Sequence, residues 1–178
     1  MTAIERFLQR RRIHAAARFL APGMQVLDLG CADGALFRQL PCIRGIGIDP
    51  DLRAPFHLPN AVLLPGHLPN GLPERSDFDA VTMLAVLEHL PRAVQVQLAD
   101  KLHSVLQPKG TLILTVPSAK TDRVLVLLKT FRLIHGRSLE QHYGFDAQDT
   151  PKLFGSFRAV HAGKFQLGFN NVFVFENA

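Results

Sequence analysis

Cysteine is scarce in this 178-residue chain, which has only Cys31 and Cys42. Two thiols cannot build a disulfide framework, and their scarcity fits a reducing, cytoplasmic setting. Long apolar runs are missing as well. None approaches the ~20 residues that cross a bilayer as a helix, so an integral membrane protein is not expected. The N-terminal stretch carries arginines but no apolar core followed by a small-residue cleavage site, and no secretory signal is readable. Internal repeats and low-complexity tracts are also absent, which argues against a solenoid or a disordered tail.

What is present is ordinary for a soluble α/β protein: 47% hydrophobic and 20% charged residues. The length suits one domain with a full core and is too short for two of usual size. A net charge of +5 and a pI near 9.7 suit an acidic partner, whether nucleic acid, a phosphate-bearing substrate or an anionic membrane. A merely solvated basic surface is the alternative.

The stretch Met24–Gly34, MQVLDLGCADG, organises the rest. Val26, Leu27 and Leu29 read as a short strand buried on both faces. Gly30 and Gly34 let the backbone turn sharply and lie close to a ligand before Ala35–Leu40 resumes as a helix. About twenty residues further on, Ile46-Gly47-Ile48 ends in Asp49, a carboxylate at the tip of a second strand where it can accept bonds from ribose hydroxyls. A glycine turn followed by a ribose acid implies an adenosine-bearing small molecule.

Together, Asp28-Leu29-Gly30-Cys31-Ala32-Asp33-Gly34, Asp49, Phe78-Asp79-Ala80-Val81 and Leu87-Glu88-His89-Leu90-Pro91 resemble a class I S-adenosylmethionine-dependent methyltransferase, from about Met24 to the C-terminus. The resemblance implies a single-domain α/β fold over residues 1–178. Its doubly wound, Rossmann-like sheet is mostly parallel with an antiparallel last strand, in the order 3-2-1-4-5-7-6. It implies S-adenosylmethionine as cofactor, held by Asp28, Gly30, Cys31, Ala32, Asp33, Gly34, Asp49, Pro50, His67, Leu68 and Leu84, and no metal. Asp28 is expected near the methionine end, where an ammonium and a sulfonium need anionic or dipolar company. The pattern departs from the family after the third strand. An acidic residue often faces the adenine amino group there, whereas Gly66-His67-Leu68 offers a histidine, either an adenine neighbour or an exposed loop residue. A nicotinamide-dependent reductase fits less well. Its third glycine is absent, and the only tyrosine, Tyr143, is followed four residues later by Ala147 rather than the lysine of a Tyr-x-x-x-Lys pair.

In chain order, Thr2–Leu20 reads as an amphipathic helix within residues 1–22. Ile4, Phe7, Leu8, Ala15 and Phe19 lie along one side, with Glu5, Gln9 and Arg12 elsewhere. The run Arg10-Arg11-Arg12 is either an anion contact or a wet face. Ile43–Ile48 and Ala61–Leu64 are the second and third strands. Pro50, Pro55, Pro59, Pro65, Pro69 and Pro73 leave no room for a long helix in the crossovers after them, which are therefore trimmed relative to the family. Phe78–Leu84 is the fourth strand, and the loop Ala85–Pro91 brings Leu84, Glu88 and His89 toward the crevice outside the strand ends. A helix from Arg92 ends at Pro108-Lys109-Gly110, and Thr111–Val116 is the fifth strand. Asp122–Ile134 is a strongly apolar helix candidate inside residues 118–145, which by resemblance form a lid insertion. It either packs on the domain or meets an apolar substrate, a partner or a membrane surface. Asp146 is expected to cap a short helix through Phe154. Phe157–Phe165 and Asn171–Glu176 complete the sheet.

Methyl transfer from a sulfonium is an in-line displacement, accelerated mainly by collinear placement in a dry site. A hydroxyl acceptor also benefits from a base. The catalytic candidates are His142 and Tyr143, which the resemblance places over the acceptor, and His89, which would approach from the opposite wall. The alternative for His142 is a loop hydrogen bond. Relatives that methylate amino groups of nucleic-acid bases usually carry Asn/Asp-Pro-Pro-aromatic after the fourth strand, where this chain has Leu84-Ala85-Val86-Leu87. Neither Cys31 nor Cys42 stands where a cytosine-carbon methylase keeps its nucleophile. Nucleic acid is therefore a disfavoured partner. The runs His142–Asp146 and Gln166–Phe175 are similar to a bacterial subgroup that modifies small molecules, lipids or cell-envelope glycans. The expected reaction is O-methylation of a small-molecule, lipid-linked or glycan acceptor, with peripheral membrane contact a further expectation. A non-catalytic S-adenosylmethionine-binding or regulatory protein on the same scaffold is the alternative.

Overall fold

The computed structural model describes residues 2–118 and 146–178. The helix expected at 122–134, with His142 and Tyr143, lies outside them. Helix α1 (Ala3–Ala17) starts at a capping box in which the Thr2 hydroxyl accepts from the Glu5 N–H and Glu5 Oε2 accepts from the Thr2 N–H at 2.7 Å. Two donors that every helix start leaves orphaned are thereby satisfied. There follow β1 (Gln25–Leu29), α2 (Ala35–Gln39), β2 (Arg44–Asp49), β3 (Phe56–Leu58), β4 (Ala61–Pro65), β5 (Phe78–Leu84) and α3 (Arg92–Val105). The chain continues through β6 (Leu106–Pro117), α4 (Thr150–Leu153), β7 (Arg158–Phe165) and β8 (Asn170–Glu176).

The strands form one eight-stranded sheet in the order β3-β4-β2-β1-β5-β6-β8-β7. Strands β4, β2, β1, β5 and β6 are mutually parallel, and β8 runs antiparallel to both β6 and β7. This is the expected doubly wound order with one addition. The first trimmed crossover holds the short strand β3, which turns at Pro59-Asn60 and pairs antiparallel with β4 at the sheet edge. Proline removes the helical option, and an apolar pair flanking His57 accepts the hairpin instead. Asn60 then anchors the hairpin by donating to the carbonyls of Phe37 and Ile43 at 3.0 and 2.9 Å.

Several expected boundaries move by one residue, and two move further. Helix α1 ends at Ala17 rather than Leu20. Strand β6 begins at Leu106, so Pro108-Lys109-Gly110 sits inside a strand rather than ending a helix. Pro108 is tolerated because the pairing with β5 shifts there, from Phe78–Leu106 to Ala80–Thr111. The C-terminus closes the excursion: Lys109 N–H donates to the Asn177 carbonyl, and Asn177 N–H to that of Gly110.

Because side chains alternate along a strand, the sheet has two unlike faces. On one, Leu27, Leu29, Val81, Met83, Leu112, Leu114 and Phe175 pack with Leu98, Leu102 and Val105 of α3 and with Phe154 and Phe157. On the other, Val26, Ala80, Ile113 and Val174 pack with Ile13 and Ala16 of α1 and Leu36 and Phe37 of α2. One residue pair further along the strands, this second face turns polar.

Candidate cofactor site at the tip of the first strand

Gly30 ends β1 with φ +77°, and a Cβ there would stand 2.3 Å from Cγ2 of Val86. Only glycine lets the loop after β5 close against this turn. Cys31 is seated because Gly47 on β2 leaves space: a Cβ at Gly47 would lie 2.7 Å from the Cys31 sulfur. The Gly30 and Cys31 N–H groups both donate to the Ile48 carbonyl. Ala32 adopts φ +48°, a left-handed conformation that costs an alanine about 1 kcal/mol. It is held there by its N–H bond to Asp49 Oδ2 at 2.8 Å. The other oxygen, Oδ1, accepts from the Asp51 N–H at 2.9 Å. Asp49 therefore ties its own loop to the β1 turn, and each carboxylate oxygen keeps a lone pair for another donor.

Asp28 lies one residue pair inward, buried on the α1 side. Thr82 on β5, its register partner, donates to Asp28 Oδ1 at 2.6 Å. Burial lifts the Asp28 carboxyl to about 7; the Thr82 hydrogen bond opposes the rise, and the Asp49 carboxylate adds to it. Burial, followed by the charges of Asp28 and Asp49, also pushes the Cys31 thiol up. That thiol is neutral near pH 7 and is no nucleophile.

Over this tip lies a cavity of about 390 Å³, bounded on one wall by Asp28, Gly30, Cys31, Ala32 and Leu84 and on the other by Glu5, Gln9, Arg12 and Ile13. The helix wall departs from the sequence-based reading of α1 at its start, where Ile4 is exposed, whereas Ala15 is buried and Phe19 packs on the core. Glu5, Gln9 and Arg12, at spacings of four and three, face the cavity, while Phe7 is 60% exposed. Over this half-open cavity the polar side chains of the helix turn inward, against the usual rule. Arg12 is drawn in: burial lowers its guanidinium's affinity for a proton and the Glu88 carboxylate raises it. Glu88 is itself buried, on the 3₁₀ turn Leu87–His89.

Of the expected cofactor residues, Asp28, Gly30, Cys31, Ala32 and Leu84 line one cavity and Asp49 braces it from behind. Gly34 caps α2 in a left-handed conformation beside them. Asp33, Pro50 and His67 are exposed, and Leu68 is half-buried against the core. His89 is half-buried on its turn. Thr82 was not singled out from the sequence, whereas Arg12 belongs to the run Arg10-Arg11-Arg12 for which an anion contact and a wet face were both open. The Glu5-Gln9-Arg12 spacing, which sets these residues off the apolar side of α1, was the available sign for the helix wall of the cavity. Among the described residues, no three His, Cys, Asp or Glu side chains are placed to share a metal ion.

A methyltransferase-domain family model matches residues 3–155, and the chain belongs to that family. It is a class I S-adenosylmethionine-dependent methyltransferase. Among solved structures, a chain of the complex between the Haloferax volcanii Trm112 methyltransferase activator and a methyltransferase superposes with TM-score 0.72 at 15% identity, covering 97% of this chain and 92% of that one. Magnesium protoporphyrin IX methyltransferase from Synechocystis PCC 6803, with bound S-adenosylhomocysteine, gives 0.65 at 21% identity over 97% and 82%. The N-methyltransferase NodS from Bradyrhizobium japonicum gives 0.68 at 17% identity, covering 96% of each chain. At these identities the likeness concerns the fold. A search among curated proteins found no match.

Proposed function

We propose that the protein transfers a methyl group from S-adenosylmethionine to a hydroxyl of a small-molecule, lipid-linked or glycan acceptor. The observation that carries the cofactor half is the Asp49 carboxylate, fixed by Ala32 and Asp51 N–H groups beside a glycine turn. The residues present fit this cofactor. Asp49 offers spare lone pairs to ribose hydroxyls, and the adjoining cavity carries both Arg12 and acidic side chains, matching an amino-acid tail with charges of both signs. The bound cofactor would supply an electrophilic methyl on a sulfonium. The chain's part is to orient it, exclude water and hold the acceptor in line.

Asp28 serves the cofactor's ammonium, and it does so as a carboxylate. Adenine is held by backbone groups near Gly66–Leu68, with His67 left to solvent. His142 takes the acceptor's proton, with His89 the alternative base and Tyr143 a further candidate. Incubation with methyl-labelled S-adenosylmethionine and panels of hydroxylated small molecules, lipids and glycans tests the reaction. Label in one acceptor class supports it, and label in none, with S-adenosylhomocysteine still bound, favours the regulatory alternative. On the true acceptor, His142→Ala should lower turnover by ~10²-fold with cofactor affinity retained. Full turnover passes the role to His89.

A further inference from the structure

We infer that the outer face of α1 docks on an anionic lipid surface, with Phe7 entering the headgroup layer between two pairs of arginines. The inference concerns the side of the helix turned away from the cavity and is independent of the cofactor reading.

The protein's charge is concentrated on this helix. Residues 2–18 hold five arginines and one acid, Glu5, and so supply most of the net +5 of the whole chain. Folding sharpens the division. Glu5 and Arg12 turn to the cavity, whereas Arg6, Arg10, Arg11 and Arg18 are all exposed. The outward face is therefore cationic with no acid on it. Among the described residues none of these four arginines pairs with an acid. A solvated helix face ordinarily mixes both signs at spacings of three and four. Here Arg6 and Arg10, four apart, repel each other, and Arg6 lies near the helix start, where the dipole disfavours a cation. An anionic surface relieves both costs.

Exposed apolar side chains share the same face. Phe7 is 60% and Ile4 37% exposed. At about 100° per residue, Phe7 falls near the middle of the exposed arc, with Arg6 and Arg10 to one side and Arg11 and Arg18 to the other. A bilayer interface rewards the whole pattern: Phe7 and Ile4 gain apolar contact while the arginine stems lie along it and their heads meet anionic headgroups. A nucleic-acid backbone would answer the charges and leave Ile4 without a partner. Two apolar side chains are too few to hold a neutral bilayer, so the contact depends on anionic lipid. It is peripheral, since no helix among the described residues is long and apolar enough to cross a membrane. Docking in this way sets the helix wall of the cavity against the lipid surface.

Sedimentation of the full chain with vesicles tests the inference, comparing phosphatidylcholine alone with an equal mixture of phosphatidylcholine and phosphatidylglycerol. The wild type should bind the mixed vesicles and not the neutral ones, and ~0.5 M salt should weaken the binding. Arg10→Glu combined with Arg11→Glu should lower partitioning at least ~20-fold, with the urea unfolding midpoint unchanged as evidence of folding. Because the sequence has no tryptophan, Phe7→Trp reports the surroundings of the ring, and its emission should shift to the blue on mixed vesicles alone. Absent or equal binding to the two vesicle types, wild-type partitioning of the double variant, or unshifted emission from bound Phe7→Trp would overturn the inference. Binding to a mixed-sequence RNA oligonucleotide that the double variant loses, with no vesicle binding, would overturn it in favour of nucleic acid.

Discussion

The two faces of the central sheet use the same three strands in opposite ways. On the α3 side, apolar residues continue to the carboxyl ends: Leu27 and Leu29 on β1, Val81 and Met83 on β5, Leu112, Leu114 and Val116 on β6. On the α1 side, each strand begins apolar and ends polar: Val26 gives way to Asp28, Ala80 to Thr82, and Ile113 to Thr115, all buried. One face is dry core throughout and holds the sheet together. The other accepts the desolvation of Asp28 and Thr82 beneath α1 and of Arg12 on it, a cost that supports the proposal of this face for binding.

If this division is right, substitutions on the two faces separate stability from affinity. The largest effect belongs to the α3 face. Phe175→Ala empties a site where Phe175 packs 5.5 Å from the Phe154 ring and should cost ~3–5 kcal/mol in urea unfolding. The fraction still folded should bind S-adenosylhomocysteine as the wild type does. A loss of affinity in that fraction would break the comparison.

Next comes a pH effect from the α1 face. Burial raises the Asp28 carboxyl from an ordinary 3.8 to about 7, so between those values the folded chain holds a proton that the unfolded chain has released. The stabilisation is therefore complete below about pH 4 and is lost as pH rises through about 7. It amounts to at most ~4 kcal/mol, at ~1.4 kcal/mol per pKa unit. Asp28→Asn should flatten this slope in denaturant titrations across pH. Cofactor affinity should respond in the opposite sense, tightening from pH 6 to pH 8 as the carboxylate forms and losing that dependence in Asp28→Asn.

Asp49→Ala should weaken S-adenosylhomocysteine by ~1–3 kcal/mol, through the ribose bonds and the loss of the brace on Ala32. Calorimetry showing unchanged affinity would remove Asp49 from the site. The smallest effect is Thr82→Val, which deletes the hydroxyl bond to Asp28 at ~1 kcal/mol and should move the midpoint of the pH slope upward.

The motifs made much of this legible. Phe78–Leu84 is the fifth strand as bounded from its apolar run, and the turn Gly30–Gly34 stands opposite Asp49 because glycine spacing and a strand-tip acid are local signals. Strand β3 was not foreseen, because three residues behind prolines carry too little periodicity to distinguish a hairpin from a loop. The inward turn of Arg12 was not legible either. Helical spacing shows which residues share a face, but the direction of that face depends on Asp28 and Glu88, distant in sequence. His67 is exposed beyond Gly66, which is compatible with either of its two readings.

The most direct test of the division is amide hydrogen exchange with and without saturating S-adenosylhomocysteine. The account predicts added protection in α1 around Glu5–Ile13 and in the turn Gly30–Gly34, with α3 from Arg92 to Val105 unchanged. Protection spread equally over both helices, or confined to α3, would contradict it.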